Sequence, residues 1–271
     1  MVHVKEYYVA TSLEDAHQRL KENPKNALLG GGTWMKYTHR ILNQLIDLSK
    51  LGLSAIEEDE KQITIGALTT LRDMEVHQSI KALGDGFLSQ ALGSIMGVNF
   101  RHIATIGGSI FSKFSFSDIL TPLLTLNVSV KLYPDEIKPL EAFLEDKGDR
   151  TKILTHLIIE KQEGHGYFKK VAQVINDFCV VNVAIFKEKE TKIAVGGRPQ
   201  RAKLTTEAIK LIKDSKTFDE VLFTKVAQQG VQELRFGEDD RGSESYRKLL
   251  AETYIARGLK EVYSKWWYPF I

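Results

Sequence analysis

The chain has 271 residues, 43% of them hydrophobic and 27% charged, enough apolar material for one to three small packed domains and too much for a disordered polypeptide. Thirty-seven basic against 35 acidic side chains leave a formal charge of +2, too weak a field to predict a nucleic-acid or anionic-membrane partner. One cysteine, Cys179, excludes a disulfide framework and any iron–sulfur cluster or thiolate zinc site held by this chain alone, and the scattered histidines predict no metal site.

No apolar stretch follows the first lysine as a signal peptide requires, and the longest charge-free segment, 86–100, is too rich in Gly, Ser and Gln to span a bilayer. The expectation is a cytoplasmic chain without membrane insertion. Ser12-Leu13-Glu14-Asp15 opens a helix with an N-cap serine, and Asn23-Pro24 closes it. Ala27-Leu28-Leu29 reads as a strand running into Gly30-Gly31-Gly32-Thr33, and Gln44 to Leu48 as another strand. Gln62 to Ala67 alternates with period two, Thr69 or Thr70 caps the next helix, and residues 87–95 carry a further apolar helical face.

Ile103 to Ile106 reads as a strand entering a second glycine turn, Gly107-Gly108, followed by an aromatic stretch, Ser109 to Asp118. Ile119 to Leu126 is a short helix, which Asp118 would cap, and Val128 to Leu132 and Thr151 to Glu160 are strands. From Tyr167 the texture changes. Strands at 169–174, 180–186 and 192–195 precede helices at 205–213, 217–234 and 243–263, the last with Tyr246, Leu249, Leu250, Ile255, Leu259 and Val262 as its apolar stripe. A domain boundary falls at Glu163 to Gly166. Cys179 reads as a buried thiol in a strand, and Glu238-Asp239-Asp240 as a solvated turn. The tail Trp266-Trp267-Tyr268-Pro269-Phe270 is an apolar patch suited to docking on a partner chain.

Two glycine turns, each behind a strand and each with a threonine, suit a diphosphate: glycine admits close approach, and successive N–H groups with the hydroxyls of Thr33, Thr105, Ser109 and Ser112 supply donors. Neither is a Walker loop and neither opens a GxGxxG helix. A tight turn with no ligand is the plainer reading of each alone.

The pieces, taken in order, resemble the FAD-binding medium subunit of the xanthine dehydrogenase / carbon monoxide dehydrogenase group of molybdenum hydroxylases. The likeness rests on Leu29-Gly30-Gly31-Gly32-Thr33 against the family's AGGT turn, Arg101 to Gly108 against RNxATIGG, Ser117-Asp118, and Asp239-Asp240-Arg241-Gly242-Ser243 with Tyr246-Arg247 against DxRGSxxYR. It implies an α+β fold of the vanillyl-alcohol oxidase / p-cresol methylhydroxylase type. Residues 1–165 would be the FAD-binding domain, with subdomains at about 1–55 and 56–165. Residues 166–271 would form a C-terminal domain with a three-stranded antiparallel sheet and a helical bundle.

By the same resemblance, FAD contacts fall to Leu29, Gly30, Gly31, Gly32, Thr33 and Trp34 in the first turn. Ala104, Thr105, Ile106, Gly107, Gly108, Ser109 and Ser112 follow in the second. Asp118 would meet the ribose, Ile158 or Ile159 would lie in the strand behind the isoalloxazine, and Lys169 near the flavin's pyrimidine end. No residue is assigned acid–base catalysis. The implied role is electron transfer between [2Fe–2S] clusters and a two-electron acceptor such as NAD. An iron–sulfur small subunit and a molybdopterin large subunit would be the partners. Trp34, Ser109 and the phenylalanines at 111, 114 and 116 depart from the family pattern, so the alternative is an assembly or scaffold subunit that has lost flavin. A stand-alone flavin reductase, similar to the enolpyruvyl reductase of cell-wall synthesis, fits less well because no catalytic Ser and Glu pair is evident.

Overall fold

The computed structural model describes the backbone of residues 1–267 and the side chains of residues 1–265. The aromatic side chains of the tail, Trp266 to Phe270, therefore lie outside the described residues. The chain divides into two compact units, the first made of residues 1–74, 97–112 and 128–160, the second of 75–96, 113–127 and 161–271.

In the first unit, β1 (His3–Val9), β2 (Ala27–Leu29) and β3 (Ile41–Asp47) form a parallel sheet in the order β1-β3-β2. The helix Leu13–Glu22 makes the crossover that parallel pairing requires, and buries Ala16 and Leu20 against Ile46 and Leu48. Ser12 caps it as the sequence predicts, accepting a hydrogen bond from Asp15 N–H at 3.0 Å. A five-stranded antiparallel sheet follows, built from β4 (Ile56–Glu58), β5 (Gln62–Gly66), β6 (Val128–Tyr133), β7 (Glu136–Pro139) and β8 (Ile153–Glu160), in the order β4-β5-β8-β6-β7. On its inward face Ile63 and Val128 flank Ile159, and Ile65 and Val130 flank Leu157, which is why alternate residues of these strands are apolar.

The first helix also carries a local acid-sensitive contact. Asp15 accepts hydrogen bonds from Thr11 N–H (2.9 Å), Tyr8 Oη (3.0 Å) and Arg19 Nε (2.9 Å). The Thr11 amide, with Arg19, Tyr8 and the Thr11 hydroxyl after it, holds the Asp15 carboxyl down at about 2 against an ordinary 3.8. A carboxyl depressed in the folded state stabilises it above the unfolded value and loses that contribution as pH falls through the folded one. Asp15→Asn should thus lower the melting temperature at neutral pH, where the ionised carboxyl contributes in full, and flatten its fall between about pH 4 and pH 2, as read by circular dichroism.

In the second unit, β9 (His165–Val171), β10 (Val181–Lys187), β11 (Thr191–Gly196) and β12 (Lys203–Leu204) form an antiparallel sheet ordered β12-β11-β10-β9. Three strands form as expected, the first at 165–171 and not 169–174, and the two-residue β12 adds a fourth. Every residue of β10 is buried, which explains its nearly unbroken apolar sequence. Val181, Val183 and Ile185 pack on one face with Ala251, Ile255 and Leu259 of the helix Glu244–Trp267 and Val226 and Ala227 of the helix Glu220–Glu233. The opposite face carries Asn182, and also Phe186, whose ring stacks on Phe87 at 5.8 Å.

Four expectations need correction. The residues at 103–106 are no strand: the short helix Val98–Arg101 precedes them, and Gly107 and Gly108 lie inside the helix Ile106–Phe111, started when Thr105 Oγ1 accepts Gly108 N–H. Asp118 does not cap the helix Leu120–Thr125: Ile119 holds the N-cap position, and the Ser117 hydroxyl accepts Leu120 N–H at 3.3 Å. The last helix turns Tyr246 and Leu249 to solvent and buries Arg247 instead, because the charged side chain finds partners inside. Cys179 lies buried in the loop ahead of β10, not in a strand.

Candidate functional site

In the first unit both glycine runs meet at one atom. Gly31 N–H, 74 residues from Thr105 in the chain, and Gly108 N–H, in the first turn of the helix that Thr105 caps, donate to Thr105 Oγ1 at 3.4 and 3.3 Å. The approach is so close that a Cβ on Gly31 would lie 2.8 Å from the carbonyl carbon of Ile103 and nearer still to its oxygen. A Cβ on Gly107 would lie 2.6 Å from the Ala67 carbonyl oxygen, to which Gly107 N–H donates at 2.8 Å. These glycines are required by backbone against backbone.

The two runs differ in what they leave to a ligand. In the second, Ile106 N–H donates to Thr69 O, Gly107 N–H to Ala67 O and Ser109 N–H to Thr105 O, while the Ser109 and Ser112 hydroxyls turn back onto Thr105 O and Ser109 O. In the first, the N–H groups of Gly30, Gly32 and Thr33 meet no protein acceptor among the described residues. Trp34 follows directly, its ring 6.1 Å from Phe100 and 6.0 Å from Tyr37. Thr105 Oγ1 accepts two N–H groups and keeps its own proton to give. The unspent amides of Gly30, Gly32 and Thr33 and the Thr105 hydroxyl fit the donor chemistry that a dinucleotide diphosphate needs.

Strand alternation separates the two isoleucines. Ile159 is buried in the core beside Ile63 and Val128, whereas Ile158 shares the more open face of β8 with His156. Burial pushes the His156 imidazole below its usual value, with Lys131 adding to it.

In the second unit Asp118 is buried, and each of its carboxylate oxygens has a protein partner. Its Oδ1 accepts Asn182 Nδ2 at 2.8 Å, and its Oδ2 pairs with Lys170 Nζ at 2.8 Å. Lys170 also donates to Ser94 O at 3.0 Å, and Asn182 Oδ1 accepts the Thr121 hydroxyl at 2.6 Å. Lys169, next in the strand, points the other way: it is exposed, with Nζ 5.6 Å from the Tyr254 ring centroid. Lys170 and Asn182 escaped the sequence reading. A Lys-Lys pair in a strand shows that one lysine faces each side but not which side holds a carboxylate.

Nearby, Phe114 and Phe116 stack at 4.8 Å, Phe116 lies 4.4 Å from Phe178, and the Arg241 guanidinium stands 5.7 Å from the Phe178 ring. The aromatic residues of this stretch thus pack on one another. Burial, with the Asp118 charge second, pushes the Cys179 thiol well above its ordinary value, so it remains a protonated core group. No group of metal-ligating side chains is found among the described residues. No helix there is long and apolar enough to cross a membrane.

A small parallel sheet and a five-stranded antiparallel sheet in the first unit, and an antiparallel sheet packed with helices in the second, define a protein of the α+β class. The chain belongs to the molybdopterin dehydrogenase flavoprotein family: the model described as "FAD binding domain in molybdopterin dehydrogenase" matches residues 3–161, and "CO dehydrogenase flavoprotein C-terminal domain" matches 166–262. It is similar to the glyceraldehyde dehydrogenase medium chain of Sulfolobus acidocaldarius, 24% identical over 94% of this chain and 97% of the relative. It is also similar to the xanthine dehydrogenase FAD-binding subunit of Escherichia coli O157:H7, 26% identical over 66% of each. In fold it matches a solved chain of carbon monoxide dehydrogenase from Hydrogenophaga pseudoflava with a TM-score of 0.88 at 20% identity, covering 96% of this chain and 97% of that one. The protein is accordingly an enzyme subunit, the FAD-binding subunit of a molybdenum-hydroxylase-type dehydrogenase.

Proposed function

We propose that the chain holds FAD through its first glycine turn and Thr105, and passes electrons between partner-held [2Fe–2S] clusters and a two-electron acceptor such as NAD, in the cytoplasm. The observation carrying this reading is the convergence of Gly31 and Gly108 N–H on Thr105 Oγ1. Bonds of 3.3–3.4 Å to a neutral hydroxyl are long and weak, so an anionic phosphate oxygen outcompetes it for the same amides. The N–H groups of Gly30, Gly32 and Thr33 complete the diphosphate's donors, with Thr33 and Thr105 hydroxyls at its edge.

We assign Asp118 to the ribose, since a carboxylate can accept two hydroxyls. Ile158, on the open face of β8, is assigned to the isoalloxazine side in preference to Ile159. Exposed Lys169 supplies a cation that favours negative charge on a reduced ring. Bound flavin supplies the capacity to take electrons singly and hand them on in pairs. With one buried cysteine, the chain relies on an iron–sulfur subunit and a molybdopterin subunit for the other centres.

The test is rapid mixing of the FAD-loaded chain with a chemically pre-reduced iron–sulfur partner. The flavin absorbance should bleach and then return when NAD is added. Flavin that stays oxidised beside reduced clusters overturns the electron-transfer role, and bleaching that NAD does not reverse overturns NAD as the acceptor.

A further inference from the structure

The first glycine turn runs directly into an exposed aromatic face. After Thr33 the chain makes the 3₁₀ turn Met35–Tyr37, closed by Tyr37 N–H to Trp34 O at 3.1 Å. The Thr38 amide and hydroxyl both donate to Met35 O, at 3.0 and 2.8 Å, so the segment is held by its own bonds. The Trp34 ring links Tyr37 to Phe100 of the helix Val98–Arg101. Around that pair of contacts Tyr37 is 67% exposed, Ile103 57% and Val98 45%. Single solvated apolar side chains are ordinary, whereas a contiguous group of them marks a contact surface.

The charge around this face is of one sign. Lys36, His39, Arg40 and His102 are exposed, and Lys36 Nζ stands 5.0 Å from the Tyr37 ring centroid. Residues 23–46 and 97–112, which build the face, contain no Asp or Glu, although the chain has 35 acidic side chains against 37 basic. Aromatic residues and Arg concentrate at the centres of protein–protein contacts and among their hot spots. Neutralising a bound diphosphate would account for the cations but not for Tyr37 and Ile103 standing in solvent. An apolar centre with a cationic rim complements a partner surface that is apolar at its centre and acidic at its edge.

We propose that this face, with Trp34, Tyr37, Val98, Phe100 and Ile103 at its centre and Lys36 and Arg40 at its rim, docks the iron–sulfur partner through an acidic-rimmed surface of that partner. The inference rests on the electron-transfer reading above and deepens it, by seating the electron donor beside the turn assigned to the flavin.

The experiment follows association of the FAD-loaded full chain with the isolated iron–sulfur subunit by surface plasmon resonance, at low and at high ionic strength. Lys36→Glu with Arg40→Glu should slow association about ten- to hundredfold and flatten its salt dependence. Tyr37→Ala should speed dissociation about thirtyfold, the loss expected of an interface hot spot. Both variants should keep their FAD, since the three side chains are exposed. Lys189→Glu with Lys216→Glu makes the same charge change at exposed lysines of the second unit, and should alter association by no more than about twofold. Unchanged binding in either face variant, equal slowing in the lysine control, or no binding by the unsubstituted chain overturns the proposal. Loss of FAD with partner binding unchanged also overturns it, and gives the cations to the diphosphate. The electron-transfer reading fails separately: a reduced subunit that docks on this face but leaves the flavin oxidised overturns that reading and upholds the docking face.

Discussion

Replacing Gly31 with alanine is expected to abolish FAD retention and to cost about 3 kcal/mol of stability, the upper part of the range for forcing an atom into a packed site. The added methyl meets backbone, the Ile103 carbonyl group, and backbone cannot turn aside as a side chain can. One of the two strands of chain must move. Movement parts Gly31 N–H from Thr105 Oγ1, the point at which the two glycine runs are joined. Gly107→Ala should behave alike, since its Cβ would press on both the Ala67 oxygen and the Ala67 Cβ, at 2.6 and 2.7 Å. Gly97→Ala is the control. Nothing lies within 4 Å of a Cβ there, so stability should shift by no more than about 0.5 kcal/mol and flavin content not at all. Chemical denaturation and the flavin content of each purified variant provide the readouts.

Arg247→Met should destabilise the second unit by about 3–5 kcal/mol, the cost of removing one partner from a buried ion pair. Arg247 is fully buried in the last helix and donates to the carbonyls of Val180, Gly197 (2.6 Å) and Gly242 (3.2 Å), and to the Asp239 carboxylate. It thereby fastens the loop entering β10, the end of β11 and the 239–242 turn to one helix. Methionine matches much of the volume but leaves these acceptors unsatisfied. Burial pushes the Asp239 carboxyl up, but hydrogen bonds from Arg241 and the charges of Arg247 and Arg241 outweigh it, for a net lowering. Loss of Arg247 removes one of those supports. Arg241→Met removes only the half-exposed partner and should cost about 1 kcal/mol. A comparison of the two midpoints in urea separates the buried clasp from a surface pair.

The DxRGSxxYR stretch illustrates how much of this fold was legible before any coordinates. Its spacing signalled a family, yet taken residue by residue Glu238-Asp239-Asp240 reads as a solvated turn, and the apolar stripe of the last helix runs through Tyr246 and Leu249 and leaves Arg247 off it. The inversion arises because long-range partners, here the carbonyls of Val180 and Gly197, leave no periodic mark on the helix. Helix Leu13–Glu22 and strands β5, β6 and β8 were readable because burial on one face imposes a period that local sequence must obey.

The second glycine run misled in a different way. Ile-Ala-Thr-Ile has strand-forming residues, but the Thr105 side chain accepts Gly108 N–H and starts a helix, a side-chain bond that outweighs propensity. The residues of both runs were identifiable, whereas the unequal division of their N–H groups was not, since it depends on the Ala67 and Thr69 carbonyls from a distant turn. Asp118 was legible as a ligand candidate by its neighbours in sequence. Lys170 and Asn182 come from β9 and β10, more than fifty residues on, and only the sheet register brings them to it.

The central claim, that the two glycine runs joined at Thr105 hold FAD, is tested most directly by the flavin stoichiometry of the full chain. The chain is purified, saturated with FAD, freed of excess by gel filtration and denatured, and the released chromophore is identified by mass. The account predicts one FAD per chain, and none in Gly31→Ala at matched folded content. A colourless chain that takes up no added FAD, or a Gly31→Ala variant that keeps its full complement, would contradict it.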